Sequence, residues 1–400
     1  MSFAKASVRD APVEGRRVLV RVDFNVPLTE GRVADDARIR AALPTIELLR
    51  SRGAAIVLVS HLGRPRGVDP ALSMKPVARR LGELLGERVA LAPGVVGPAV
   101  ERLARSLGPG ELLMLENSRF EPGETRNDPA LARRLAALAD AYVDDAFGAA
   151  HRAHATTEAV GHLLPAYAGI LLEREVRELT AVRDDPARPL SVVLGGAKVT
   201  DKIGVMERFL EVAEQILIGG AMCFSFFSHR GIATGDSLVE EEGIELAGMI
   251  LERATRSSCE LRLPVDLALG RKLSADTERR ELDGVEVPEG WMGLDIGPRT
   301  AAGYANAVAT AGTVFWNGPM GAFELEPFAS GTRALAEAVA SAPGKAVVGG
   351  GDSAAALEAF GLTDRIDWVS TGGGASLELM EGKELPGVDA LLDKQAVSKQ

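Results

Sequence analysis

The sequence predicts an α/β protein whose mostly parallel sheets fall into two domains. Two observations predict it. Short β-rich runs alternate with helical patterns along the chain, which is the rhythm of βαβ units. The two halves also end their strands differently, the first in charged residues and the second in glycines. The length of 400 residues agrees with two or three domains at roughly 150 residues each.

In the first half, runs at 18–24, 55–60, 112–115 and 142–145 read as strands. Helical patterns lie between them at 39–52, 74–85 and 131–138. In the second half, strands at 190–194, 215–218, 346–348 and 368–371 run into glycines at 195–196, 219–220, 349–351 and 372–374. Helices are expected at 201–215 and 353–359. The segment 169–183 reads as a helix and RDDPARP at 183–189 as its exit turn. The domain boundary therefore falls within 163–189. The stretch 385–400 has a short apolar patch and a polar tail, which either packs on the body or frays.

Hydrophobic residues make up 46% of the chain and charged residues 25%. That composition supports a large core and excludes a disordered tail or a disulfide-stapled mini-protein. The formal net charge of −11 argues against a nucleic-acid coat or a polybasic membrane binder, but leaves room for a local basic cleft. The N-terminus lacks the apolar region of a signal peptide, and no stretch approaches 18 apolar residues. Cys223 and Cys259 read as buried free thiols. His151 and His154 can share a helix face, but no third ligand completes a metal motif.

In open α/β sheets, ligands bind outside the carboxyl ends of the strands. The first half places Asp23, Asn25, His61, Arg64, Arg119, Asp144 and Arg152 there, with Arg38 near the start of the following helix. One such Arg alone is a solvated surface charge. Four at successive strand or helix starts read as an anion site, because a planar guanidinium binds phosphate or carboxylate bidentately. The glycines of the second half permit close backbone approach and leave helix-start N–H groups for a polyphosphate. None of these runs matches GxxxxGK[ST], and none carries a complete dinucleotide fingerprint. Lys198 and Lys202 are four apart, which puts both ammonium groups on one helical face beside such a turn. Asp352 either caps a helix or binds Mg²⁺ that bridges phosphates, the metal being favoured. Glu324 either caps a helix or binds ribose hydroxyls.

Nine segments carry a resemblance. They are RVDFNVP at 21–27, HLGRP at 61–65, LLMLENSRF at 112–120, DAFGAAHRAHAT at 145–156 and GGAKVTDKI at 195–203 in the first part of the chain. GLDIGPRT at 293–300, WNGPMGAFE at 316–324, GGGDS at 349–353 and STGGGASLELMEG at 370–382 follow. In this order, they make the chain closely resemble the phosphoglycerate kinase family over essentially its whole length.

The resemblance implies two Rossmann-like three-layer αβα domains joined by a hinge helix. A triose-phosphate domain would span 1–168, the helix 169–183 and a nucleotide domain 184–385, with about 386–400 returning to the first. It implies reversible phosphoryl transfer from 1,3-bisphosphoglycerate to ADP, giving 3-phosphoglycerate and ATP, in glycolysis or gluconeogenesis. It further implies a monomeric cytoplasmic enzyme that uses Mg²⁺ bound with ADP or ATP, with no nucleic-acid or membrane partner. Asp23, Asn25, Arg38, His61, Arg64, Arg119 and Arg152 match the family's triose residues. Lys198, Lys202, Gly219, Gly220, Gly293, Glu324, Gly350, Gly351, Asp352 and Ser353 match its nucleotide side, with Asp352 at the Mg²⁺. Arg38, Lys198, Lys202, Gly351 and Gly373 form the expected catalytic set. Ser353 stands where the family usually has Thr, keeping a hydroxyl and a backbone N–H. Cys223 and Ser225 depart from the family's commoner residues near the adenine pocket.

An acyl phosphate needs no activated serine or cysteine, and the terminal oxygen of ADP is already ionised. Catalysis is then alignment and charge stabilisation. Closure of the domains on both substrates is expected to exclude water. The rival readings are a kinase of another small metabolite, with Asp23 as base, and a scaffold without activity.

Overall fold

The computed structural model describes residues 3–397. The chain forms two compact units, the first built from residues up to 177 together with those from 384 onward, the second from 178–383.

In the first unit, six strands lie side by side in the order Ala90–Leu91, Leu112–Met114, Ala55–Val59, Arg17–Arg21, Ala141–Asp144 and Ala166–Ala168. Every neighbouring pair is parallel. Sequences such as AIVLV show no polar alternation because each of their residues is buried, as a parallel sheet covered on both faces requires. Ile39, Ile46 and Leu49 of the helix Ala37–Ser51 pack into the same core as Val18, Val20, Ile56 and Leu58. The strand expected at 18–24 ends at Arg21, where the chain leaves the sheet and the Phe24 N–H donates to Ser60 Oγ at 2.9 Å. The chain builds one side of Arg17–Arg21 first and then crosses to the other with Ala141–Asp144. The topological switch point lies between these two strands.

The second unit repeats this plan. Its strands run Glu260–Arg262, Gln215–Ile218, Leu190–Leu194, Thr313–Asn317, Lys345–Gly349 and Trp368–Val369, again all parallel. Here the switch lies between Leu190–Leu194 and Thr313–Asn317. Tyr304, Val308, Leu335, Val339 and Leu357 pack from helices onto Val314, Trp316 and Val348. A small antiparallel sheet, in the order Arg279–Leu282, Leu267–Gly270 and Met292–Ile296, was not expected from the sequence. Its edge, RREL, has no apolar alternation to mark it as a strand.

The helix expected at 169–183 spans Ile170–Asp184 and carries the chain from one unit into the other. Asp145 Oδ1 accepts the N–H groups of Leu171 and Leu172 at 2.9 and 3.3 Å, and Thr45 Oγ1 accepts that of Ile170 at 2.8 Å. These bonds satisfy donors that a helix start leaves free. The returning segment pairs with the first unit: Leu392 N–H donates to the Ala166 carbonyl at 3.0 Å and Gly387 N–H to that of Ala150 at 2.9 Å. Of the segment expected at 386–400, residues 398–400 lie outside the described residues. Cys223 and Cys259 are buried and unpaired.

Candidate active site

The first half-site forms at the strand ends of the first unit. Arg38, second residue of its helix, donates to Asp23 Oδ2 at 2.7 Å. Asp23 Oδ1 is buried and lacks a hydrogen-bond partner. A buried carboxylate oxygen without a donor suits a ligand hydroxyl. Asn25 Oδ1 accepts the Gly63 N–H at 2.8 Å, so this residue shapes the loop that carries His61 and Arg64.

Arg64, Arg119, Arg152 and His154 line one cavity of about 490 Å³. Among the described residues, none of these three arginines has a carboxylate in ion-pair range. Burial, followed by the charges of Arg152 and Arg21, pulls the Arg119 guanidinium below its ordinary range. Its Nε is buried without a partner. Burial and neighbouring arginines likewise lower the His154 imidazole to about 4. Crowded arginines without a close ion pair make an anion site in a chain of net charge −11.

A buried network that sequence reasoning missed supports this site. Arg21, 1% exposed, donates from Nε to Thr156 Oγ1 at 2.9 Å and from a terminal nitrogen to the Val22 carbonyl. Thr156 Oγ1 donates to Glu124 Oε1 at 2.6 Å. Arg21 and Thr156 both stand inside the quoted motifs, but nothing in their spacing pairs them. Asp144, read as a strand-end ligand, is fully buried, and burial raises its carboxyl to about 7. It accepts the Ala146 N–H at 2.9 Å and belongs to the interior.

The second half-site forms at the switch of the second unit. Lys202 Nζ donates to Asn317 Oδ1 at 2.6 Å. Burial pulls the Lys202 ammonium below its ordinary value, against the opposing charges of Asp201 and Asp352. Asn317 Nδ2 is buried without a partner. Asn317 was also missed, although it ends a strand in a quoted motif.

One expectation needs correction. Lys198 and Lys202 do not share a helical face, because the helix begins only at Ile203. Glu240 holds the preceding turn by accepting the N–H groups of Val199 and Thr200 at 2.7 and 3.1 Å, which leaves Lys198 exposed on the turn. Asp352 caps no helix: Gly350 precedes Gly351–Ala359, and the exposed Asp352 carboxylate sits in its first turn. The Ser353 hydroxyl is buried and accepts the Gly318 N–H at 2.6 Å, so only its backbone N–H remains for a ligand.

Gly196, Gly220, Gly293, Glu324 and Asp352 line a cavity of about 870 Å³ with Phe224 on its wall. Gly219 is buried and does not line it. Gly220 has φ +66°, and a Cβ there would lie 2.5 Å from the Gly196 backbone. Its lack of a side chain is a packing requirement. A Cβ on Gly351 would meet nothing within 4 Å, so that helix start faces open space. Gly373 precedes a short helix, Gly374–Met380. Glu324 is exposed and caps no helix. Cys223 also lines the cavity, its thiol pushed well up by burial, whereas Ser225 Oγ donates to the Glu240 carbonyl at 3.2 Å.

Among the described residues, no cluster of three or more His, Cys, Asp or Glu is placed to hold a metal. One exposed carboxylate beside a nucleotide-sized cavity fits a hard cation that takes its other oxygens from phosphates and water.

A family model described as Phosphoglycerate kinase matches residues 8–383. The chain is 53% identical over 393 residues to a phosphoglycerate kinase of Moorella thermoacetica, covering 98% of this chain and all of that one. It is 54% identical over 394 residues to one of Rubrobacter xylanophilus, with the same coverage. The structure of phosphoglycerate kinase from Coxiella burnetii superposes with a TM-score of 0.87 at 40% identity, over 96% of this chain and 98% of that one. That from Pyrococcus horikoshii gives 0.86 at 33% identity, over 98% and 99%.

Proposed function

The chain belongs to the phosphoglycerate kinase family and interconverts 1,3-bisphosphoglycerate and ADP with 3-phosphoglycerate and ATP, a step of glycolysis and gluconeogenesis; from that premise we propose which residues act. The unpaired cluster of Arg64, Arg119 and Arg152 carries the reading of the first half-site. These arginines bind the phosphate of the triose. Asp23 Oδ1 accepts a hydrogen bond from its hydroxyl, and His61 and Asn25 complete the pocket. Arg38, steered by Asp23, neutralises the carboxyl end.

Gly219, Gly220, Gly293 and Glu324 shape the nucleotide's seat, with Glu324 on the ribose. N–H groups at Gly350, Gly351, Asp352, Ser353 and Gly373 point toward its phosphates. Lys202 and Lys198 hold the oxygens of the moving phosphoryl group. An oxygen of the ADP terminal phosphate attacks the acyl phosphorus. The phosphorus–oxygen bond to the carboxyl breaks, and the carboxylate of 3-phosphoglycerate keeps the electron pair. No proton need move, so these residues act by alignment and charge. Mg²⁺ bound with the nucleotide, beside Asp352, supplies charge neutralisation between the phosphates.

Water would hydrolyse the acyl phosphate, and ligand-driven domain closure excludes it. One chain supplies both sets of residues, which supports a monomer. We place it in the cytoplasm with its glycolytic substrates, and the net charge of −11 speaks against nucleic acid or an anionic membrane as partner. An assay with 3-phosphoglycerate and MgATP, coupled to oxidation of reduced nicotinamide, tests the reading. A rate no higher than the blank without 3-phosphoglycerate would sink it.

A further inference from the structure

His61 lies among three arginines, with a single carboxylate near its ring. The residue is 5% exposed, and Arg21, Arg119, Arg152 and His154 act on its ring. The carboxylate of Asp23 approaches Nδ1 only to 3.9 Å, beyond hydrogen-bond range. A terminal nitrogen of Arg21 lies at 3.0 Å from the same Nδ1.

A guanidinium carries donors only, so the ring nitrogen that faces it must present a lone pair. The ring proton then sits on Nε2. Arg21 cannot readily turn aside, because Thr156 Oγ1 and the Val22 carbonyl hold its other nitrogens. Thr156 is fixed in turn by Glu124, which accepts both its hydroxyl and its backbone N–H, at 2.6 and 3.1 Å. No partner for His61 Nε2 is found among the described residues, and this atom is not among those sealed from solvent.

We propose that Arg21 is a positioning residue: it fixes His61 as the tautomer protonated on Nε2, so that His61 meets the triose as a neutral hydrogen-bond donor and not as a further cation. The contact with the triose rests on the assignment of His61 made above, whereas the tautomer does not. Burial first, then Arg21, Arg119, Arg152 and His154, hold the ring well below the ordinary imidazole value, in agreement with a neutral ring. Protonation at Nδ1 would set a cation against the Arg21 fork. The donor on Nε2 therefore stays in place across the neutral pH range, and the anionic charge of the ligand is met by arginines alone.

Nitrogen-15 NMR of the full chain without ligand tests the tautomer, with the His61 ring identified by its loss in His61→Gln. The expected wild-type pattern is Nε2–H, with no titration between pH 5 and 8. A ring protonated on Nδ1, or cationic at pH 7, overturns the proposal whether or not any Arg21 variant folds. Arg21→Met keeps an unbranched stem and removes the donors. His61 should then show mixed tautomers or titrate within that window. KM for 3-phosphoglycerate should rise about tenfold, as for one lost hydrogen bond, and become pH-dependent, while kcat changes less. Arg21→Lys, with one donor restored, should recover the Nε2–H pattern. A folded Arg21→Met with the wild-type tautomer and pH profile overturns the role of Arg21. If 3-phosphoglycerate leaves the wild-type Nε2 resonance unmoved, the triose assignment of His61 fails and the donor role with it, while the tautomer result stands apart.

Discussion

Lys202 Nζ lies 2.6 Å from Asn317 Oδ1 at the point where the second sheet reverses its strand order. One neutral amide oxygen is a weak partner for a buried ammonium, so the charge remains available to a phosphoryl group. Lys202→Ala should lower kcat by about 10²–10³, the scale of losing one transition-state donor, with a smaller change in nucleotide affinity. Asn317→Ala should lower kcat by a smaller factor. Single-turnover rates and nucleotide titrations separate the two effects, and a near-wild-type kcat for Lys202→Ala removes it from the catalytic set.

Arg38 divides its guanidinium between Asp23, at 2.7 Å, and the proposed carboxyl end of the triose. Arg38→Ala should cost about 10²–10³ in kcat with a milder effect on KM. Arg38→Lys should rescue little, since one ammonium cannot reproduce the planar fork. Steady-state kinetics of both variants give the answer.

Asp145 is fully buried, and burial raises its carboxyl to about 7 from an ordinary value of 3.8. Between those values the folded chain holds a proton that the unfolded chain has lost. The stability from this group is therefore complete below about pH 4 and lost as pH rises through 7. Asp145→Asn keeps an acceptor for Leu171 and Leu172 and cannot ionise. Relative to wild type, its urea midpoint should be higher at pH 8 than at pH 5. An equal difference at both pH values would contradict the shift.

Gly220 and Gly351 should respond oppositely to alanine. At Gly220 the new Cβ meets backbone at 2.5 Å and φ is +66°, so the variant should lose about 2–3 kcal/mol in chemical denaturation. At Gly351 nothing lies within 4 Å, so stability should hold while nucleotide affinity falls. Melting curves with and without ADP distinguish these outcomes.

Closure predicts that small-angle scattering gives a smaller radius of gyration with 3-phosphoglycerate and a nucleotide bound together than with neither. An unchanged radius would remove closure as the means of excluding water.

The sheets were legible because buried parallel strands are short apolar runs that end in turn residues: Leu190–Leu194 and Gln215–Ile218 have the expected limits. The charged strand ends were legible for the same reason, since a polar residue directly after such a run marks the sheet's rim. Local spacing misplaces Lys198, because no helical period holds where a turn fixed by Glu240, 41 positions beyond Val199, sets the geometry. Glu124, Thr156 and Asn317 escaped notice because their role is to support other residues. Arg21 meets Thr156 across 135 positions, a pairing that only the folded chain creates.

The edge of the first sheet is completed from both directions along the chain. Ala6 N–H donates to the Leu392 carbonyl at 2.7 Å, and Leu392 N–H donates to the Ala166 carbonyl beside it. On the ribosome, residues 178–383 emerge before that edge has its last partner. The unit whose residues are synthesised first is thus the one that finishes last, its sheet margin open until Leu392 pairs with Ala166.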